Sequence, residues 1–101
     1  MKVNYFISAK AQETIQGVIV NLSSEYQKNE NPIIIVAVCS GYYETDGIAG
    51  KRMMTATYKY NVANKTFDSM SGNNIKPNFD SLLLPVIEDF NNQIKTDDIN
   101  N

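Results

Sequence analysis

The 101-residue chain contains no histidine and no tryptophan, and it has one cysteine, three prolines and five glycines. Without histidine there is no imidazole to activate a serine or cysteine nucleophile, so Ser–His–Asp and Cys–His chemistry is excluded. The commonest zinc ligand and the usual neutral-pH proton shuttle go with it. A single cysteine, Cys39, cannot close an internal disulfide, so the chain is not a cross-linked scaffold. Charge is sparse and nearly balanced: charged residues make up 20% and the formal net charge is −2, too little to direct the chain to nucleic acid or membranes on charge alone. No apolar run approaches the roughly 20 residues that span a bilayer. Residues 1–11 imitate a secretory signal only faintly, because the apolar part is short and interrupted by Asn4. The expected location is the cytoplasm.

What is present is enough apolar material for one core. Hydrophobic residues make up 43%, ordinary for a globular domain. The length suits a single domain, expected over residues 1–95, with 96–101 as a frayed tail. The dominant feature is Ile33–Cys39, seven consecutive apolar residues between Pro32 and Ser40-Gly41. Such a run, rich in β-branched residues, predicts a short strand buried on both faces. Residues 2–8 alternate as a strand. Ala11, Ile15, Val18, Ile19, Leu22 and Tyr26 fall at helical spacing and predict a helix over 9–28, with Ser8 as its cap. Gly17 and the β-branched Val18-Ile19-Val20 weaken that helix, and the competing reading is a hairpin through Lys10–Gln16.

Gly41 to Lys51, with three glycines, reads as a loop between strands. Met54, Ala56, Tyr58, Tyr60 and Val62 alternate with polar partners as the clearest strand; residues 63–65 form a hairpin loop, with Asn64 as its left-handed residue, and Thr66–Met70 returns. Phe79, Leu82, Leu83, Val86, Ile87, Phe90 and Ile94 form a helical stripe, capped by Asp80 or Ser81 and beginning as late as Pro85. The predicted fold class is α+β in βαβββα order: a small, mostly antiparallel sheet of about four strands with two amphipathic helices. If both helices share one face, the second face of Ile33–Val38 needs a partner copy or a strong curl of the sheet.

The motifs narrow function mainly by exclusion. Gly50-Lys51 follows an apolar strand as in a phosphate loop, but Thr45 and Arg52 occupy two of the defining positions, and a strand rather than a helix follows. Scattered carboxylates lack the ligand spacing of a calcium loop. Cys39 reads as a small core residue. No metal and no cofactor are expected, and the chain is not expected to be an enzyme.

Tyr42 and Tyr43 are adjacent in a glycine-rich stretch beside Glu44 and Asp46, and tyrosine is enriched at binding hot spots. The expectation is a small protein-binding inhibitor, of the immunity or antitoxin kind or phage-encoded. Its partner would be a toxin or host enzyme with a basic surface, contacted through Tyr42, Tyr43, Glu44 and Asp46 together with Glu88 and Asp89. Two alternatives stand beside it. Residues 51–65 carry Lys51, Arg52, Lys59 and Lys65 and no acid, interleaved with Tyr58 and Tyr60, as a nucleic-acid-binding ribbon would. Because the two tyrosines share the apolar face of the strand, nucleic acid is the weaker reading. The other alternative is a self-assembling subunit, a homodimer included, that buries the second face of the central strand.

Overall fold

In the computed structural model the described residues are 1–3, 5–27, 30–45 and 50–100, with side chains of the terminal helix described as far as Lys95. Among the described residues there are five strands and one helix: β1 (Phe6–Ile15), β2 (Val18–Gln27), β3 (Ile34–Glu44), β4 (Lys51–Asn61), β5 (Thr66–Asn73) and α1 (Phe79–Asn100). The strands form one antiparallel sheet in the order β1-β2-β3-β4-β5, a simple meander. This remains α+β but corrects the predicted topology. There are five strands rather than four, one helix rather than two, and the order is βββββα.

The difference lies in residues 9–28, where a hairpin replaces the expected helix. Val18, Val20, Leu22, Ser24 and Tyr26 are buried, and the residues between them are exposed or half-buried. That is the period of a strand with one face on the core. The turn is Gln16-Gly17, with φ of 47° and 87°, joining the paired residues Ile15 and Val18. Two central residues with positive φ make a type I′ turn, whose twist matches that of the flanking strands. The turn is also held from outside. A Cβ on Gly17 would overlap the carbonyl oxygen of Tyr42, and one on Gly41 would sit 2.8 Å from the Cα of Val18. Glycine at both positions lets the first hairpin and β3 close up.

β3 continues past the expected stop at Ser40-Gly41 as far as Glu44. Its inward column is Ile35, Ala37, Cys39 and Tyr43, all buried. The expected second cover is missing. Ile34 and Val36 are half-buried, while Val38 is 45% and Tyr42 59% exposed on the opposite face. Beyond the Ser23–Val36 pair the β2–β3 ladder ends, and the buried Ser24 hydroxyl donates to the Ile34 carbonyl at 2.7 Å in its place.

The helix covers one face only. Phe79, Leu83, Ile87, Phe90 and Ile94 are buried at spacings of three and four, with Leu82 and Val86 half-buried beside them. It starts at Phe79, after Asn78 at φ 61°, so Asp80 and Ser81 lie within its first turn rather than capping it. There Asp80 complements the positive end of the helix dipole. Pro85 is the seventh residue of the helix, past its first turn rather than at its start as expected, so its missing N–H removes an intrahelical hydrogen bond; its ring is exposed. Phe79 joins Tyr58, Tyr60 and Phe67 in an aromatic cluster: ring centroids are 5.5 Å apart for Tyr58–Phe67, 5.2 Å for Tyr60–Phe67 and 6.3 Å for Tyr58–Phe79.

At β5 the register slips: Lys59 faces Ser69 but Tyr60 faces Phe67, leaving Asp68 as the extra residue of a bulge. Its carboxylate accepts from Thr66 Oγ1 and Asn61 Nδ2 at 2.9 and 3.1 Å. The left-handed residue of the adjoining turn is Lys65, at φ 57°, rather than Asn64.

Candidate interaction surface

The sheet register defines what the helix-free face displays. Ile19 pairs with Ser40, Asn21 with Val38, Val38 with Thr57, Tyr42 with Met53 and Glu44 with Lys51. These residues alternate with the buried columns, so all of them point away from the helix. Ile19, Val38, Tyr42 and Met53 are 37–59% exposed and occupy neighbouring positions on three adjacent strands. Around them stand hydroxyls and amides (Ser40, Thr55, Thr57, Asn21) and charges of both signs, Glu44, Lys51 and Lys59. Beside this patch, where β2 and β3 part, a groove of about 380 Å³ is lined by Ser8, Lys10, Ser23, Glu25, Ile34 and Val36. The face mixes exposed apolar and aromatic side chains with the Ser40 hydroxyl, which lies between Val38 and Tyr42 and opposite Ile19, and is flanked by polar and charged groups.

The residues expected to bind a partner are divided by this geometry. Tyr42 and Glu44 are on the helix-free face, and both are exposed. Tyr43 points the other way into the core and is 5% exposed. Glu88 and Asp89 are exposed on the helix, which covers the opposite face of the sheet. Asp46 lies outside the described residues. Alternation explains the split: neighbouring residues in an extended strand cannot share a face.

The basic set is divided as well. Lys51 and Lys59 are on the helix-free face, Arg52 shares the column of Tyr43, and Lys65 is in the β4–β5 turn. Tyr58 and Tyr60 are 1% and 4% exposed, so neither offers a ring for a base to stack on. Ile19 and Met53 were not among the residues expected to bind a partner, and Val38 entered only through the second face of the central strand, which a partner copy was expected to bury. Their signal was there: an apolar run with no polar alternation, and a methionine in the otherwise polar column of β4.

On the helix side the groups capable of chemistry are withdrawn from solvent. Burial pushes the Cys39 thiol up to about 11, which keeps it protonated and unreactive near neutral pH. The Tyr58 hydroxyl is pushed up to about 12, chiefly by burial and further by Cys39 and Asp80. It has no hydrogen-bond partner among the described residues. Among the described residues no group of three or more potential ligands is placed to hold a metal ion. No described helix is long and apolar enough to cross a membrane. No protein-family model matches the chain, and neither a curated protein nor a solved structure matches it.

Proposed function

We propose that the chain is a non-catalytic protein-binding module that acts as an inhibitor of another protein and works through the helix-free face of its sheet. The observation behind this reading is the exposed cluster Ile19, Val38, Tyr42 and Met53 on the helix-free face of the sheet. Exposed apolar residues gathered on one face mark interaction sites, and an exposed tyrosine among them supplies an anchor. Placement on strands rather than on a loop means that little ordering entropy is lost on binding. The charges beside the patch, Glu44 paired across the strands with Lys51 and Lys59 further along, are of both signs and would fix a partner's orientation on the face.

The test is affinity capture from a lysate of the source cell with tagged wild type and with Val38→Glu, each checked for folding by circular dichroism. The wild type is expected to retain a stoichiometric protein that Val38→Glu loses. Equal retention by the folded variant overturns the placement of the contact.

A further inference from the structure

The two edges of the sheet are built differently. β5 is interrupted by its bulge and by Asp68, features that discourage further strand pairing. β1 has neither. It is ten residues long, pairs with β2 without a register shift, contains no proline, and carries only Lys10 and Glu13 as charges. Among the described residues no strand lies on its outer side. Next to it, on the helix side, is an open cleft of about 560 Å³ between β1 and α1, lined by Ala11, Glu13, Leu22, Val86, Asp89 and Phe90. Ala11, a small residue of the inward column of β1, leaves room for the cleft.

The chain carries what this cleft lacks. Residues 2–8 have the alternating pattern of a strand, yet among the described residues the first strand begins at Phe6. Val3 and Tyr5 have the same parity as Ala9 and Ala11, and they are 62% and 73% exposed.

We propose that two copies pair antiparallel along β1, about a two-fold axis normal to the sheet at Ser8. Each N-terminal arm then extends the partner's sheet and fills its cleft. Such an axis keeps both helices on one side and sets residues of equal parity opposite each other. Centred on Ser8, the register places the large Tyr5 opposite the partner's small Ala11, and Val3 opposite the partner's Glu13. Asp89 at the rim offers an acceptor for the tyrosine hydroxyl. A register centred on Lys10 instead opposes two lysines, which costs stability. This interface is separate from the helix-free patch and does not depend on it.

Sedimentation equilibrium from micromolar to millimolar concentration tests the pairing. The wild type is expected at twice the chain mass. Tyr5→Lys, at an exposed position that leaves the fold intact, is expected to weaken the dimer about tenfold or more. Val38→Glu is expected to leave the dimer unchanged, which separates this surface from the partner-binding face. In a Cys39→Ala background, Ser8→Cys is expected to oxidise to a covalent dimer and Lys10→Cys is not. A monomer at every concentration, a dimer indifferent to Tyr5→Lys, or cross-linking at Lys10→Cys in preference to Ser8→Cys each overturns the proposal.

Discussion

Replacing Gly17 by alanine distinguishes the hairpin from a helix by the sign of the effect. In a helix the change would stabilise by about 1 kcal/mol, because glycine is that much worse than alanine in a helix interior. In the observed turn Gly17 has φ 87°, a conformation that costs an L-residue roughly 1–2 kcal/mol. The added Cβ also overlaps the carbonyl oxygen of Tyr42, which is backbone in the central strand and cannot swing aside. Turn and strand must separate, which brings the expected loss to about 2–3 kcal/mol. For a domain of this size that lowers the melting temperature by roughly 10 °C or more. Urea titration followed by circular dichroism is the assay, with an unchanged slope showing that the unfolded state is unaltered. A gain in stability, or no change, would refute the account of this turn.

Further consequences concern the core. Ser24→Ala leaves the half-buried Ile34 carbonyl without the hydroxyl that reaches it at 2.7 Å, and a loss of about 1 kcal/mol is expected in the same titration. A neutral result would mean that water or a shifted strand replaces the bond. Tyr58→Phe removes a buried hydroxyl with no partner among the described residues, so stability is expected to stay level or rise by about 1 kcal/mol; a clear loss would show that the hydroxyl is paired. Alkaline pH destabilises in a defined window. The Cys39 thiol rises from 9.0 to about 11 and the Tyr58 hydroxyl from 10.0 to about 12 on folding. The unfolded chain therefore sheds these protons before the folded one does. Stability is flat with respect to both groups below pH 9 and falls through the interval up to about 12. Cys39→Ala should flatten the lower part of that fall, and an unchanged slope there would contradict the burial of the thiol.

Much of the fold was legible from residue pattern. Met54, Ala56, Tyr58 and Tyr60 alternate into the core as their spacing requires, and the terminal stripe from Phe79 to Ile94 is the helix that packs on them. The first hairpin was misread for a specific reason. Val18, Leu22 and Tyr26 are four residues apart, and a spacing of four satisfies both the helical period of 3.6 and the strand period of two. Val20 and Ser24 decide between them, and a buried serine does not announce itself in a hydrophobic pattern. Gln16-Gly17 is also weaker turn chemistry than Asn-Gly or Asp-Gly, and its glycine is explained by the approach of Tyr42, a contact remote in sequence.

The central strand misled in the opposite direction. An unbroken apolar run normally means cover on both sides, but here one helix covers one face, and Val38 and Tyr42 remain exposed on the other. At the candidate site, Tyr42 and Tyr43 were expected to act together. Their separation follows from β3 running through both, and it could not be seen while Gly41 was taken as the end of the strand.

The exposed half of β3 is where the functional proposal stands or falls. The most direct measurement is quantitative affinity capture with wild type and Val38→Glu side by side, at low and high salt and with and without nuclease. The account predicts one protein partner that survives nuclease and salt with the wild type and disappears with the folded variant. Undiminished binding by Val38→Glu, or recovery of nucleic acid that high salt removes, would contradict it.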